Sequence, residues 1–332
     1  MLKIIGTPPL NSVQDHARPG YRDIGLVQGG AMDDLALSLG NALLGNPDDA
    51  AGIEVQTFPL RLTVTEPHPV AVTGAAAAFL DGAALPPCWA VRVRPGQELL
   101  LKRGSGARGY VTVAGGIDVP LVLGSRATDL RNGFGGHEGR DLRAGDPLPV
   151  GPSANAPRAQ DFGTLPPWQA LAFTDAPDPD VLHIRVVAGP EHDGFDATSR
   201  DAFWQEEWAV STMTDRMGIR LSGARQEGGR LMMERPKELR SGGILPGVVQ
   251  VPPSGEPLIQ LRDANGAGGY PRIGVVIRAD MWRAGQARPG TRLRFHRVTP
   301  EEAIEAAHRK QRLIDELRRD VARYAELPGF TE

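Results

Sequence analysis

Residues 257–280 read PLIQLRDANGAGGYPRIGVVIRAD, and four glycines fall within nine residues of this stretch. The apolar runs on either side, PLIQLRD (257–263) and RIGVVIRAD (272–280), are short, which predicts strands. Glycine clusters chiefly mark turns, because glycine adopts backbone conformations that other residues avoid. The stretch therefore predicts two strands joined by a glycine loop, with the polar side chains of Asp263 and Asn265 at its start.

The same short apolar pattern recurs along the chain. It predicts strands in RLTVTE (61–66), VAVTGA (70–75), AVRVRPG (90–96), ELLLKR (98–103), GYVTVAGG (109–116), VLHIRVVAG (181–189), GVVQVPP (247–253) and TRLRFHRV (291–298). Helical spacing is scarcer and favours short helices in AMDDLALSLGNALLGN (31–46), which Gly45-Asn46-Pro47 is predicted to end, and in TSRDAFWQEEW (198–208). The 41 glycines and 29 prolines are typical of many short strands with tight turns. The chain is therefore predicted to be mainly β.

The C-terminal tail contains the clearest helix signal. Thr299 is a suitable N-cap, Pro300 suits the first helical position, and Glu301 and Glu302 fill the first turn. Apolar residues then recur at helical spacing opposite a charged face. The pattern predicts a helix over 299–326, which we expect to dock on its own barrel rather than to bind a partner.

A chain of 332 residues is longer than most single domains. Residues 151–180 are rich in proline, alanine and polar residues and are the best linker candidate. Arg-Pro-Gly precedes an alternating strand in each half, at 94–96 and at 288–290, a weak internal repeat. We therefore expect an N-terminal β domain over 1–150 and a related C-terminal one over 181–298.

The composition argues against several functional classes. The net charge of −3 shows no basic field for nucleic acid or an anionic membrane. The single cysteine, Cys88, cannot form an internal disulfide, and no cysteine cluster suits zinc. There is no secretory signal pattern and no apolar run long enough to span a bilayer, so a cytoplasmic location is expected.

Three motifs suggest chemistry but have simpler interpretations. GSGARG (104–109) matches a dinucleotide-binding pattern, yet strand-like sequence stands on both sides, so we interpret it as a β-hairpin turn. No P-loop occurs, and the seven scattered histidines give no metal site. No motif points to a covalent nucleophile. Asp215-Arg216 is a local salt bridge or a carboxylate-binding arginine, and Arg18 and Arg126 are equally open candidates for such an anchor.

Longer stretches resemble one family. They are residues 13–55, 109–130, STMTDRMGIRLSG (211–223) and 241–290. They are similar to the biotin-dependent carboxyltransferase family, which includes the C component of bacterial ATP-dependent 5-oxoprolinase, allophanate hydrolase subunit 2 and the carboxyltransferase part of urea carboxylase. The resemblance covers about residues 3–300. It implies two tandem cyclophilin-like β-barrel domains, with a few short helices and a C-terminal helix.

The resemblance also implies partners and cofactors. Family members work with a subunit-B-like protein, and the 5-oxoprolinase adds a third subunit and uses ATP to cleave 5-oxoproline. ATP would bind elsewhere in such a complex, since this chain has no P-loop. No lysine is flanked by methionines, so no biotin is expected on this chain. No nucleic acid, membrane or metal ion is implied.

The family motifs, together with polar residues that stand beside or between the matched positions, give a set of candidate site residues. The candidate catalytic groups are Asp15, Asp215 and Asp263. The candidate substrate-binding groups are Gln14, His16, Arg18, Arg126, Arg216, Asn265, Gly268, Gly269 and Tyr270. We expect the loop after Asp263 to line one cleft with residues 14–20 and 215–217, its backbone N–H groups polarising a carbonyl.

The sequence departs from the family within this loop. The family usually has a glutamine and two threonines where this chain has Asn265, Gly266 and Ala267. Loss of a partner for a buried polar group costs about 1–3 kcal/mol, so the substrate contacts must differ. The expected function is the C component of a 5-oxoprolinase-type complex, a hydrolase active with its partners. The alternatives are a carboxyltransferase acting on urea or a similar amide, and a non-catalytic regulator that binds a subunit-B-like kinase inhibitor.

Overall fold

The structure is a computed structural model that describes residues 1–153, 161–166, 170–171, 180–223, 230–235 and 239–325. Most of the predicted linker, 151–180, therefore lies outside the described residues. The chain divides into two compact units. Unit 1 comprises Met1–Arg18, Gly29–Leu171 and Gln311–Glu332, and unit 2 comprises Pro19–Gln28 and Ala172–Lys310.

The described part of unit 1 is built from strands, a helix between the second and third strands, and the C-terminal part of the last helix of the chain. The strands are β1 (Leu2–Gly6), β2 (Ser12–Gln14), β3 (Gly52–Val55), β4 (Leu60–Val64), β5 (His68–Gly74), β6 (Ala77–Leu80), β7 (Ala83–Leu85), β8 (Trp89–Val93), β9 (Leu99–Lys102), β10 (Gly109–Val113), β11 (Pro147–Leu148) and β12 (Phe162–Gly163). They form two six-stranded sheets, ordered β11-β1-β4-β9-β6-β7 and β12-β8-β5-β10-β3-β2. Alternate residues of both sheets, such as Leu62 and Val111, share one buried core.

The prediction of a β-hairpin turn at GSGARG (104–109) is wrong. β9 pairs with β4 and β6 in one sheet, whereas β10 pairs with β3 and β5 in the other. The loop therefore crosses between sheets. Leu101 and Val111 fill the same core from opposite sides, and alternation alone cannot distinguish this arrangement from a hairpin.

Helix α1 (Asp34–Leu44) packs against β5 and β10 and is buried along its whole length. The Asp33 side chain caps it by accepting a hydrogen bond from the backbone N–H of Ala36 at 2.8 Å. Gly45 ends it in the left-handed conformation, φ 67°, as the sequence predicts. The spacing of apolar residues in α1 predicts one buried face, but the sheet and loops cover the opposite face as well.

Unit 2 contains a closed barrel. Its elements are β13 (Val181–Ala188), α2 (Ala197–Gln205), β14 (Trp208–Val210), β15 (Gly218–Gly223), β16 (Gly242–Gly243), β17 (Val248–Gln250), β18 (Leu258–Gln260), β19 (Ala267–Gly268), β20 (Arg272–Val276), α3 (Met281–Gly285) and β21 (Arg292–Arg297). The barrel order is β13-β20-β17-β18-β15-β14-β21, closed by parallel pairing of β13 with β21. β16 and β19 form a separate two-stranded sheet. The expectation of a mainly β chain is confirmed. Unit 1 contains two sheets, whereas the seven-stranded sheet of unit 2 closes into a barrel.

The two Arg-Pro-Gly segments form the same turn. In each, the backbone N–H three residues after the arginine donates to the arginine carbonyl, at 3.0 Å from Gln97 and 2.9 Å from Thr291. The glycines have positive φ, which fits a tight turn with proline before glycine. This local repeat of the sequence is thus also a repeat of structure.

Helix α4 (Pro300–Ala325) begins as predicted. Thr299 and Glu302 exchange hydrogen bonds, backbone N–H to side chain, at 2.7 and 3.2 Å, which forms a capping box. Ala303 and Ala306 pack within unit 2, whereas Leu317 and Val321 pack against apolar residues of unit 1. The first part of the helix thus belongs to unit 2 and the part from Gln311 onward to unit 1. Among the described residues no helix is both long and apolar enough to cross a membrane.

Candidate functional site

A cavity of about 280 Å³ lies against the outer face of the barrel in unit 2. Its floor is formed by β15, β17 and β18. Neighbouring residues of a strand point to opposite faces, so Val249 and Ile259 fill the barrel core. Gln250 and Gln260 point the other way and line the cavity, although they are only 3% and 9% exposed.

The glycine loop forms the opposite wall. β19 within it pairs with β16, and Asn265, Gly268, Gly269 and Tyr270 all line the cavity. A Cβ on Gly268 would lie 2.5 Å from Ile244 Cδ1 and 3.0 Å from Gln250 Nε2. The loop therefore approaches the floor because Gly268 has no side chain.

Hydrogen bonds connect the loop to the floor. Gln250 Nε2 donates to the backbone carbonyl of Tyr270 at 3.3 Å. Gln260 Nε2 in turn donates to Gln250 Oε1 at 2.7 Å. Tyr270 itself is 46% exposed and stands at the rim rather than in the core.

Arg216 and Asp263 pair with each other rather than facing the cavity. Arg216 Nε and Nη2 donate to the two carboxylate oxygens of Asp263 at 2.7 and 3.1 Å. The backbone N–H of Asp263 also donates to the carbonyl of Arg216 at 3.0 Å. Both side chains are buried, at 7% and 14% exposure. The pair fixes the start of the glycine loop to the segment before β15.

Asp215 and Arg220 are the charged residues that line the cavity. Asp215 Oδ1 accepts from the backbone N–H groups of Met217 and Gly218 at 2.8 and 3.2 Å, so one oxygen stabilises the turn into β15. Arg220 is exposed, and within the described part of the chain its guanidinium makes no ion pair. An exposed arginine at a cavity wall can bind an anion through two parallel hydrogen bonds.

The candidates near the N-terminus lie in unit 1. Asp15 is buried and accepts from Ser125 Oγ at 2.8 Å and from the backbone N–H of Ala17 at 3.1 Å. Gln14 Nε2 donates to Ser12 Oγ at 2.9 Å and to the carbonyl of Thr128 at 3.2 Å. These contacts hold neighbouring loops of unit 1 together.

His16 and Arg18 are equally engaged within unit 1. His16 Nε2 lies 3.1 Å from Ser38 Oγ on α1. Arg18 is fully buried, donates to the carbonyls of Val122 and Ala127 at 3.0 and 2.9 Å, and lies over the ring of Phe134. With no exposed surface, the Arg18 guanidinium is not placed to bind a solvent-borne carboxylate.

Arg126 lines a second cavity, of about 240 Å³, in unit 1. Its guanidinium donates to the Val119 carbonyl at 2.9 Å and to Asp118 Oδ1 at 2.8 Å. Gly115, Gly116 and the turn after α1 form the rest of the wall. The structure thus places Arg126 at a cavity, but paired with a carboxylate of its own unit.

Two buried groups of unit 1 have strongly shifted acidity. Burial, and next the charge of Asp33, raises the pKa of the Cys88 thiol to about 12. Burial also raises the pKa of Tyr110, whose hydroxyl donates to Glu54 Oε2 at 2.6 Å, well above its usual value. Both groups remain protonated near neutral pH, so neither supplies an anionic nucleophile.

The family model described as carboxyltransferase domain, subdomain A and B, matches residues 24–297. The chain belongs to this carboxyltransferase family.

The similarity to known proteins extends over nearly the whole length of this chain. It is 41% identical to the C component of the 5-oxoprolinase of Escherichia coli over 319 residues, covering 96% of this chain and 97% of that protein. It is 36% identical to the corresponding 5-oxoprolinase component of Haemophilus influenzae, covering 97% and 99%. The crystal structure of the K. lactis urea amidolyase has a TM-score of 0.81 at 26% identity and covers 95% of this chain, but only 20% of that longer one.

Sequence reasoning missed three polar residues that line the cavity of unit 2: Arg220, Gln250 and Gln260. Each lies inside a predicted strand or next to a matched motif, but nothing indicated which face of the strand borders a cavity. The period-two pattern does place Gln250 and Gln260 opposite the apolar residues beside them. A polar residue in an otherwise apolar run was the available signal.

Within the described ranges, neither a metal-ligand cluster nor a phosphate-binding GSGARG loop is present. Among the described residues no three histidine, cysteine or carboxylate side chains cluster as metal ligands. The GSGARG loop leads into β10, so it lacks the helix N-terminus that would hold a phosphate. The residues of this loop therefore do not fit ATP.

Proposed function

We propose that the chain is the C component of an ATP-dependent 5-oxoprolinase and that the cavity of unit 2 holds the cyclic amide. The similarity to the C component of the E. coli 5-oxoprolinase, across nearly the full length of both chains, carries this proposal. The cavity supports it, because about 280 Å³ falls just below the usual range of ligand pockets and suits a small substrate.

The lining groups supply the chemistry that a carboxylated lactam requires. Arg220 binds the carboxylate, in place of Arg216, whose guanidinium is taken by Asp263. Asn265 and the main chain at Gly268 and Gly269 polarise the ring carbonyl. Asp215 moves a proton through the oxygen that the turn leaves free.

The remaining candidates have supporting roles in this proposal. Asp263 and Arg216 position the loop instead of acting as base and anchor. Asp15, Gln14, His16 and Arg18 hold the loops of unit 1, and Arg126 lines its own cavity. The assignment of these residues to catalysis and substrate binding by motif matching stays a prediction.

The activity belongs to a complex. ATP binds to another subunit, since the sequence has no P-loop. This chain acts as a hydrolase subunit with a subunit-B-like partner and a third component. ATP hydrolysis drives the addition of water across the ring C–N bond, which gives glutamate, ADP and phosphate. This chain binds and orients the ring.

A second candidate function is the transfer of a carboxyl group from biotin on another chain to urea or a similar amide. The fold shared with the K. lactis urea amidolyase favours it. The altered loop at Asn265-Gly266-Ala267 fits a changed substrate in either case. A non-catalytic regulator of a subunit-B-like protein is the third.

Reconstitution separates these functions. The chain is purified with the proteins encoded beside it and supplied with ATP and either 5-oxoproline or urea. We expect glutamate and ADP to form in equal amounts from 5-oxoproline, and neither to form when this chain is omitted. Turnover of urea that requires biotin would favour the second function. A complex that assembles without turnover would favour the regulator.

A further inference from the structure

The two buried glutamines have a fixed hydrogen-bonding direction. The Tyr270 backbone carbonyl can only accept, so the amide nitrogen of Gln250 must face it. Gln250 then presents its oxygen to Gln260, which must present its own nitrogen in return. The Gln260 oxygen is left pointing away from this chain of amides. Within the described part of the protein Gln260 Oε1 accepts no hydrogen bond, although the residue lines the cavity.

We propose that Gln260 determines specificity by accepting a hydrogen bond from the N–H of an amide bound in the cavity, and that Gln250 is the positioning residue that orients it. The proposal rests on the proposed function, because it deepens the role of the same cavity. In the loop above them, Ala267 lines the cavity without a polar side chain, so the two glutamines supply amide groups on that side.

The physical basis is a mismatch between two acceptors. A lactam ring presents an N–H to Gln260 Oε1, whereas the matched lactone presents a ring oxygen. In the lactone complex the ring oxygen would face Gln260 Oε1, so this nearly buried acceptor would receive no hydrogen bond and the two oxygens would repel each other. Sites that hydrogen-bond one substrate group discriminate strongly against an analogue that lacks it. We therefore expect the protein to bind 5-oxoproline at least about tenfold more tightly than its lactone analogue, a single hydrogen bond's difference.

Binding of both ligands is measured by calorimetry on the complex and on the chain itself. Gln260→Met keeps the length of the side chain but removes the amide acceptor. Gln205→Met is the matched control, since Gln205 is exposed on α2 away from the cavity. Gln250→Met removes the acceptor for Gln260 Nε2 and frees the Gln260 amide to rotate.

The result expected is a lactam preference that Gln260→Met and Gln250→Met reduce by about tenfold and that Gln205→Met preserves. A preference unchanged in Gln260→Met overturns the inference, even if the complex cleaves 5-oxoproline. A complex that does not cleave 5-oxoproline but binds it with the expected Gln260 dependence overturns the proposed function alone. Wild-type protein that binds neither ligand overturns both.

Discussion

The Arg216 guanidinium donates two hydrogen bonds to the Asp263 carboxylate, at 2.7 and 3.1 Å, and the two residues are 47 positions apart in the chain. The pair lies beside the cavity rather than in it, since neither residue lines the wall. A two-bond, mostly buried pair has a defined geometry that a single surface ion pair lacks. It sets where the glycine loop leaves β18.

Asp263→Asn should therefore loosen the loop. Removing one partner leaves the other charge partly buried, so we expect a loss of about 2–4 kcal/mol in the free energy of unfolding. Denaturant unfolding of Asp263→Asn, Arg216→Met and the double variant measures the coupling between the two side chains. Strictly additive losses would show that the pair does not position the loop.

Gly268→Ala tests how closely the loop approaches the floor. Its Cβ would meet Ile244 Cδ1 at 2.5 Å and Gln250 Nε2 at 3.0 Å, so either the loop or these two side chains must shift, and both changes alter the cavity wall. We expect affinity for 5-oxoproline to fall about tenfold or more. Gly266→Ala is the control in the same loop, because its nearest neighbour is the Arg22 carbonyl at 3.5 Å. Equal affinities for the two variants would contradict the arrangement.

Arg220→Met tests the carboxylate anchor. A charge-assisted hydrogen bond contributes about 1.5–3 kcal/mol, so KM for 5-oxoproline should rise roughly 10- to 100-fold with a smaller change in kcat. Steady-state kinetics of the reconstituted complex measures both constants. Arg309→Met, on the exposed face of α4, is the matched control. An unchanged KM in Arg220→Met would remove this residue from substrate binding.

The histidine pair of the barrel makes unit 2 sensitive to acid. His183 Nδ1 and His296 Nε2 lie 2.6 Å apart on β13 and β21, and burial, then the charge of His183, lowers the pKa of His296. Below pH 6.5 the unfolded chain binds a proton that the folded barrel resists, so the free energy of unfolding falls as pH drops from 7 towards 5. Urea unfolding at both pH values should show a smaller fall in the free energy of unfolding for His296→Gln than for wild type. His308→Gln, which alters an exposed residue of α4, should show the same fall as wild type. An identical fall in wild type and His296→Gln would refute the assignment.

Local sequence signals predicted the secondary structure well, because they act through neighbouring residues. The Thr299 capping box, the Gly45 helix stop and the two Arg-Pro-Gly turns all appear as predicted. Long-range pairing did not follow from such signals. The same alternation around residues 104–109 is compatible with a hairpin and with a crossing between sheets, and the structure has the crossing.

Part of the site could also be predicted, because motifs mark individual residues but not their tertiary contacts. Motif matching led to Asp215 and the loop glycines, and the polar start of the loop led to Asn265; all of them line one cavity. It could not show that Arg216 is taken by Asp263, since a side chain's partner depends on tertiary contacts. Nor could it identify Gln250 and Gln260, whose importance arises from the loop that lies over that face of the sheet.

A crystal structure of the protein with 5-oxoproline tests the central claim most directly. Difference density should place the ligand in the cavity of unit 2, with its carboxylate within hydrogen-bonding distance of Arg220 and its ring N–H facing Gln260 Oε1. Ligand density elsewhere on the chain, with this cavity left as it is, would contradict the account.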